Sequence, residues 1–200
     1  MKTSFPLFSS PISMSQHLWK QLIASGDIII DATMGNGKDT LIIGQILSSL
    51  GGGTLFSLDI QEKALENTKA LLQEHLPNYS SFVHLSLSCH TAFPKEIKTE
   101  SVKLIVYNLG YLPGADKNLT TMTPTTLISV EKAIELLCPG GALSLTCYPG
   151  HPEGACELQA LQSMVSLLDK KIYCVTHHYW MNRTQSPSLI LVQKMCTSNI

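Results

Sequence analysis

Several features that mark other protein classes are scarce in these 200 residues. Charged residues make up only 14% of the chain, arginine occurs once, and the formal net charge is -1. A chain with so little charge and 44% hydrophobic residues is expected to bury a core rather than to stay disordered. The same balance excludes a strongly basic surface, so a nucleic-acid partner would have to be held by a local patch or by site chemistry.

The sequence also lacks the spacings of metal and disulfide frameworks. Its six cysteines form no CxxC pair and no Cys/His cluster, so we expect reduced thiols, a cytoplasmic protein and no metal site. The longest apolar run near the N-terminus, residues 28–30, is too short for an export signal or a membrane span. The length favours a single domain over residues 1–200, with an irregular lead-in over residues 1–14.

The hydrophobic pattern predicts alternating strands and helices. A helical pattern over 15–24 precedes four unbroken apolar stretches at 27–30, 53–58, 82–87 and 102–107, with helical spacing over 39–50 and 61–75. The second half continues with a helix over 125–138, a strand over 141–148, a helix over 153–168, and strands over 171–180 and 188–194. Unbroken apolar strands are typical of a parallel sheet covered by helices on both faces.

The connection between the last two strands is too short for a helical crossover. Residues 181–187 alone join them, so the last strand should run antiparallel to its neighbour. The sequence therefore predicts an α/β, Rossmann-like fold with a seven-stranded, mostly parallel sheet. The loop over 110–124 is long for a compact domain, which is typical of a functional loop.

The segments that follow the predicted strands are polar or glycine-rich, which is where an open parallel sheet binds ligands. Asp31 begins a turn containing Gly35 and Gly37, which permit close backbone approach but match neither GxGxxG nor the phosphate-binding loop. An acid there suits a cationic ligand, and Asp59 after the second strand can accept both hydroxyls of a ribose. These features together predict S-adenosylmethionine as cofactor. In the alternative interpretation, the glycines only turn the chain and Asp31 caps a helix.

The predicted cofactor residues lie in the loops after the first four strands. They are Asp31, Thr33, Gly35, Asn36, Gly37, Asp39, Thr40, Asp59, Gln61, Cys89, His90 and Asn108. No metal ligand is predicted among them.

The segment Asn108-Leu-Gly-Tyr111 is similar to the (Asn/Asp/Ser)-Pro-Pro-(Tyr/Phe) signature of methyltransferases that act on nitrogen. An Asn oxygen and the next carbonyl can accept hydrogen bonds from an amine, and the aromatic ring can stack on a base. We predict Asn108, Tyr111 and His151 as catalytic residues, with His151 taking the proton of a substrate ammonium. The alternatives are an ordinary turn with a buried tyrosine, and a histidine that caps the helix starting near Glu153.

The predicted substrate contacts are Tyr111, Lys117, Tyr148, His151, Glu153, Asn182 and Arg183. Arg183 lies between the last two strands, where it could contact a phosphate or a base if the preceding strand is parallel. A solvated arginine is the alternative. Lys38 borders the same predicted ligand-binding edge of the sheet as Lys117.

Four phrases together resemble the MnmM (YtqB-like) tRNA methyltransferase family: residues 31–40 (DATMGNGKDT), 108–117 (NLGYLPGADK), 148–154 (YPGHPEG), and Asn182-Arg183 before Pro187. The resemblance runs from about residue 15 to residue 194. It implies a class I S-adenosylmethionine-dependent fold and methylation of the 5-aminomethyl group of (2-thio)uridine at tRNA wobble position 34. The implied partner is the anticodon stem-loop of tRNA, without membrane association, and a homodimer is a further possibility.

Three positions depart from that family pattern. Lys38 stands where His or Asn is usual, Ser188 replaces the second proline of a Pro-Pro pair, and Gln193 takes a position that is commonly Glu. Other functions keep the same motifs: an N-methyltransferase for rRNA or for a small-molecule amine, and a non-catalytic protein that binds the cofactor. The glycine spacing disfavours a nucleotide-binding dehydrogenase.

Overall fold

The computed structural model describes residues 7–111 and 120–196. In chain order, its elements are α1 (Pro11–Leu22), β1 (Ile28–Asp31), α2 (Lys38–Ser49), β2 (Thr54–Asp59), α3 (Glu62–His75), a 3-10 turn (Tyr79–Ser81), β3 (Val83–Leu87), β4 (Val102–Asn108), α4 (Thr123–Leu136), β5 (Leu137–Cys147), α5 (Pro152–Ser166), β6 (Tyr173–His178) and β7 (Ser188–Lys194).

The strands form one seven-stranded sheet in the order β3-β2-β1-β4-β5-β7-β6. Pairing from β3 through β5 is parallel, whereas β7 is antiparallel to both of its neighbours. Because β7 separates β5 from β6, β6 runs parallel to β5, and the β6–β7 connection lies at the carboxyl edge of the sheet. The predicted fold, with an antiparallel last strand, is confirmed.

Two hydrophobic clusters explain why the strands are apolar without alternation. Consecutive residues of one strand point to opposite faces: Ile29 packs with the cluster on the face of α1, α2 and α3, and Ile30 packs with the cluster on the face of α4 and α5. Leu104 and Ile105 divide between the faces in the same way, and all four residues are buried. Each such side chain stabilises the fold by about 1.5–3 kcal/mol through burial.

The crossover from β3 to β4 is irregular rather than helical. Residues 88–101, all described, contain turns but no helix or strand. Phe93 and Ile97 nevertheless pack against the cluster on the α4 and α5 face. Two apolar anchors therefore cover the sheet where a helix would otherwise lie.

The predicted lead-in over 1–14 was wrong from residue 11 onward, because α1 begins at Pro11 instead of residue 15. Ser10 caps the helix: its Oγ accepts from the Ser13 backbone N–H, and the Ser13 Oγ accepts from the Ser10 N–H. Proline is favoured at the first helical position because its missing N–H would have no helical partner there. Residues 1–6 lie outside the described part.

The predicted helix over 125–138 is displaced toward the N-terminus. α4 starts at Thr123, again with a proline in its first turn, and β5 already starts at Leu137. The pairing of β4 with β5 shifts register between Val102 and Leu104, so the first residues of β5 are an irregular extension of the strand. Sequence patterns place such boundaries poorly because helix and strand meet without a loop.

No helix among the described residues is long and apolar enough to cross a membrane. Within residues 7–111 and 120–196 there is also no group of three or more His, Cys, Asp or Glu side chains that could hold a metal ion.

Candidate active site

A cavity of about 760 Å³ opens where β1 to β5 end at the carboxyl edge of the sheet. Its volume is within the roughly 300–1,000 Å³ of small-molecule sites. Twelve of the predicted site residues line it: Thr33, Gly35, Asn36, Asp39, Asp59, Gln61, Cys89, His90, Asn108, Tyr111, Tyr148 and His151. Its lining does not include Asp31, Gly37, Thr40, Glu153, Asn182 or Arg183. Lys117 lies outside the described residues.

Asp59 joins the end of β2 to the turn after β1. Its Oδ2 accepts from the Gly35 backbone N–H at 3.0 Å, and its Oδ1 accepts from the Gln61 N–H at 2.9 Å. The half-buried carboxylate lines the cavity. Since a carboxylate has about four acceptor sites, both oxygens keep capacity for a ligand hydroxyl.

Asp31 lies behind the cavity wall. It is 1% exposed; its Oδ2 accepts from the Thr40 hydroxyl at 2.6 Å, and its Oδ1 accepts from the Thr33 N–H at 3.2 Å. Burial, reinforced by the charge of nearby Asp39, raises the pKa of Asp31 to about 7. Asp31 is therefore placed to support the turn and to act on a ligand through its charge rather than by direct contact.

The two turn glycines have different surroundings. Both have positive φ, 50° at Gly35 and 77° at Gly37, which is a conformation that glycine adopts without strain. A Cβ at Gly37 would lie 2.8 Å from the Thr68 hydroxyl oxygen, which itself donates to the Gly35 carbonyl. Gly37 thus permits close packing against α3, whereas Gly35 faces the cavity.

Asn108 is held from two sides at the end of β4. Its backbone N–H donates to the Thr33 hydroxyl at 2.7 Å, and its Nδ2 donates to Asp39 Oδ2 at 3.2 Å. Gln16 Nε2, from α1, donates to the other oxygen of Asp39 at 3.0 Å. The Asn108 side chain also hydrogen-bonds Tyr148. With the amide nitrogen turned toward Asp39, the amide oxygen keeps acceptor capacity for a ligand. Burial raises the pKa of Asp39, and the hydrogen bonds from Gln16 and Asn108 oppose that rise.

Gly110 stands at the position of the second proline in the (Asn/Asp/Ser)-Pro-Pro-(Tyr/Phe) signature, and its backbone conformation excludes proline. Gly110 has a φ of 145°, which proline, fixed near -65°, cannot adopt. A Cβ at Gly110 would also lie 3.7 Å from the Tyr148 ring. Burial, with the charge of Asp39 second, raises the pKa of Tyr148 to about 12, so its phenol stays protonated at neutral pH.

Tyr111 and His151 face each other at the cavity mouth. Their ring centroids are 6.3 Å apart with an interplanar angle of 60°. Tyr111 is 41% exposed, so the predicted alternative of a buried tyrosine is wrong. An antiparallel backbone bridge pairs Tyr111 with Thr120.

His151 caps α5 and lines the cavity at the same time. Its Nδ1 accepts from the Gly154 backbone N–H at 3.1 Å, and its buried Nε2 has no partner among the described residues. An Nδ1 that accepts carries no proton, which assigns the proton of the neutral ring to Nε2. In this arrangement the His151 ring forms part of the cavity wall, while its Nε2 is buried close to Gly154.

Two glutamates of α5 hold the chain around the start of α4. Glu153 Oε1 accepts from the N–H and the hydroxyl of Thr123, and these bonds lower its pKa. Glu157, which the sequence analysis missed, is buried and accepts from the hydroxyls of Thr126 at 2.6 Å and Thr121 at 3.0 Å. Burial raises the pKa of Glu157. Because Thr121 lines the cavity, both glutamates shape its wall from behind.

His90 supplies a neutral ring at the end of β3. Burial lowers its pKa, and its buried Nδ1 has no partner in the part of the chain that the structure describes. The Ser129 hydroxyl donates to the His90 carbonyl at 2.8 Å, which fixes the backbone. Such a ring can hydrogen-bond the edge of a heteroaromatic base.

The β6–β7 connection borders the cavity through residues the sequence analysis missed. Gln185 and Pro187 line the cavity. Asn182 and Arg183 are exposed beyond it, with the Arg183 guanidinium 5.1 Å from the centre of the Trp180 ring. The parallel direction of β6 is what brings this connection to the ligand side.

The sheet order, the glycine turn after β1 and the acid ending β2 define a class I S-adenosylmethionine-dependent methyltransferase fold. Within that class, the chain belongs to the family described as "Putative rRNA methylase", which matches residues 55–194. A relative from Arabidopsis thaliana named tRNA (mnm(5)s(2)U34)-methyltransferase, chloroplastic, is 36% identical over 182 residues, or 88% of this chain and 66% of the relative. The predicted resemblance to the MnmM-like family is confirmed.

Two solved structures share this architecture. A "putative rRNA-methylase" from Clostridium thermocellum is 31% identical with a TM-score of 0.87, covering 94% of this chain and 99% of that one. A "putative methyltransferase" from Streptococcus mutans in complex with SAH is 29% identical with a TM-score of 0.81 and the same coverage.

Proposed function

We propose that this protein transfers a methyl group from S-adenosylmethionine to the 5-aminomethyl nitrogen of (2-thio)uridine at wobble position 34 of tRNA. The observation that carries the proposal is the orientation of Asn108, whose amide nitrogen is engaged by Asp39 so that its oxygen can accept from an amine. The name of the Arabidopsis relative supports the choice of substrate.

The residues present fit the cofactor. Asp59 offers carboxylate oxygens to ribose hydroxyls, His90 a neutral ring to the adenine edge, and Gly35 a wall without a side chain. The negative charges of Asp31 and Asp39 complement the ammonium and sulfonium groups. S-adenosylmethionine, when bound, supplies an electrophilic methyl group on positively charged sulfur.

Asn108 and Tyr111 then position the acceptor. The Asn108 amide oxygen and the Leu109 carbonyl accept hydrogen bonds from the substrate amine, and the Tyr111 ring stacks on the uracil. With the cofactor bound, the amine nitrogen so held would accept the methyl group and lose one proton, and the sulfur would keep the electron pair of the C–S bond. His151 lies in the wall beside this site, and accepting the proton of the amine at Nδ1 requires the Gly154 cap to open.

The test offers purified protein and labelled cofactor four acceptors. These are tRNA carrying 5-aminomethyl groups at the wobble uridine, tRNA lacking them, rRNA, and the free nucleoside 5-aminomethyluridine. Label is expected only in the first tRNA, and Asn108→Ala serves as the matched inactive control. Equal incorporation into both tRNAs, or methylation of rRNA or the free amine instead, would contradict the wobble-uridine assignment.

We also propose a cytoplasmic location for the protein. All six cysteines are free thiols, which suits a reducing compartment. A homodimer stays a prediction that a solution mass measurement checks.

A further inference from the structure

The chain just beyond β6 exposes aromatic and apolar side chains. Tyr179 is 61% exposed and Met181 is 91% exposed, while Trp180 between them is half-buried. Exposed groups of this size in one segment mark an interaction surface more often than isolated ones do. We call Tyr179, Trp180, Met181 and Arg183 the hairpin surface.

Arg183 gives the hairpin surface a planar cation. Its guanidinium lies 5.1 Å from the centre of the Trp180 ring, and its backbone N–H donates to the Trp180 carbonyl at 3.2 Å. The only arginine of the chain thus lies over the ring of one of its two tryptophans. Guanidinium and indole planes are the groups on which unpaired nucleobases stack.

A shallow groove adjoins these side chains. It measures about 270 Å³ and is lined by Pro11, Met14, His177, His178, Tyr179, Trp180 and Met181. That volume is below the roughly 300–1,000 Å³ of typical small-molecule pockets, so the groove suits one flat ring rather than a whole ligand.

The hairpin surface is continuous with the active-site mouth. Gln185 and Pro187, from the same connection, line the main cavity. A Cβ at Gly150, in the loop after β5, would lie 3.6 Å from the Gln185 carbonyl oxygen. A ligand that places one group in the cavity can therefore extend over this connection to the hairpin surface.

Bulk charge contributes little to binding at the hairpin surface. Residues 170–200 contain four basic residues and no Asp or Glu, whereas residues 1–169 contain ten basic and fifteen acidic residues. Three of those four lysine or arginine residues lie away from the mouth, since Lys170 and Lys171 precede β6 and Lys194 pairs with Glu100. Arg183 is the one next to the mouth, so stacking rather than bulk charge must hold the occupant.

We propose that the hairpin surface stacks unpaired RNA bases next to the nucleotide whose base enters the cavity. The inference rests on the proposed function in taking RNA as the substrate. A base that leaves its loop to reach a pocket deprives its neighbours of stacking. Trp180 and Arg183 replace that lost contact, which selects a single-stranded loop over a duplex.

Trp180 fluorescence provides a direct test. Trp19 is 3% exposed in the core, so Trp19→Phe leaves Trp180 as the only tryptophan. The SAH-saturated protein is titrated with a synthetic anticodon stem-loop RNA and with the same stem closed by a linker without bases. We expect the first RNA to quench Trp180 and the second to bind weakly without quenching. Equal binding of the two RNAs would overturn the proposal.

Substitutions measured by polarisation of labelled RNA give a second readout that does not need Trp19→Phe. Trp180→Leu is expected to raise the Kd of the loop RNA about 5- to 150-fold, the equivalent of about 1–3 kcal/mol per stacked base. Arg183→Lys keeps the charge but loses the planar group, so it should also weaken binding. Leu167→Ala, at an 86% exposed position after α5, is the matched control and should leave the Kd unchanged. SAH affinity should stay constant in all variants.

The outcomes separate this inference from the proposed function. If the loop RNA quenches Trp180 but aminomethylated tRNA is not methylated, the role of the hairpin surface in RNA binding stands and the proposed methyl acceptor is rejected. Methylation of that tRNA with an unchanged RNA Kd in Trp180→Leu would reject the hairpin surface alone. A change in the solution mass of Trp180→Leu with no change in RNA affinity would assign the surface to a second copy of the chain and overturn the proposal.

Discussion

The two halves of the active-site cavity are built differently. On the side of β1 to β3, backbone N–H groups bind carboxylates directly, as at Asp59 and Asp31. On the side of β4, β5 and the hairpin, the wall includes the rings of Tyr111, Tyr148 and His151, and Thr121, whose hydroxyl donates to Glu157. Backbone contacts fix a constant ligand closely, whereas exposed rings can adapt to a flexible one. We therefore propose that the first half holds the cofactor and the second half the substrate.

The largest effect is expected for a substitution of Asn108, which lies between the two halves of the cavity. Asn108→Ala should lower the transfer rate at saturating substrate about 100-fold, because misplacement of the reacting nitrogen is that costly. SAH affinity should stay nearly unchanged, since the β1 and β2 contacts remain. Single-turnover kinetics with calorimetry of SAH binding measures both. A loss confined to folding stability would mean that Asn108 only shapes the turn.

Asp59→Ala tests the cofactor half. We expect S-adenosylmethionine binding to weaken by about 1–3 kcal/mol, because the ribose hydroxyls lose charged acceptors. Asp59→Asn keeps the shape and one oxygen acceptor but sets an NH2 group against one of the two backbone N–H donors, so a smaller loss than in Asp59→Ala is expected. Unchanged affinity in a folded Asp59→Ala protein would remove Asp59 from the site.

The buried acid behind the cofactor half makes stability depend on pH. The pKa of Asp31 is raised from 3.8 to about 7, so its proton favours the folded state at low pH, and this stability is lost as the pH rises through about 7. Between pH 5 and pH 8 the cofactor-free protein should lose on the order of 2 kcal/mol from this group. Denaturant unfolding at the two pH values measures it.

Asp31→Asn, which cannot ionise, is the control for that experiment and should flatten the difference. Bound S-adenosylmethionine favours the ionised carboxylate, so its affinity relative to SAH should rise over the same pH range. A ratio of the two affinities that stays constant with pH would separate Asp31 from the cofactor's charge.

The smallest effect concerns the histidine of the substrate half. His151→Ala should cost about 1 kcal/mol of stability, because α5 loses its N-cap. His151→Asn restores a capping side chain without restoring the ring, so comparing the two separates capping from chemistry. If the His151 ring takes the substrate proton, both variants should transfer methyl groups more slowly over the pH range in which the rate of the unchanged protein rises with pH. Their RNA affinity should stay the same. Full activity in His151→Asn would reduce His151 to a cap.

The sequence was sufficient for the order of elements and for most of the cavity wall. Hydrophobic periodicity is local, and parallel strands bring their carboxyl ends to one edge, so residues after each strand could be grouped without coordinates. Asp59 and Asn108 were found in this way. The start of α1 also has a local signal, because Ser10, Pro11 and Ser13 form a capping signal, which the prediction of an irregular lead-in over 1–14 did not use.

Only the tertiary structure decided the contacts between residues that are distant in the chain. Gln16 reaches Asp39 across 23 positions, and Glu157 reaches Thr126 across 31; neither pairing has a local signature. The burial of Asp31 likewise depends on how α2 seats against β1. The amino-acid order determines which side chains arrive at the carboxyl edge, because strand direction is set locally. Packing of the whole sheet decides which of them face the ligand, because burial and hydrogen-bond partners are supplied by other elements.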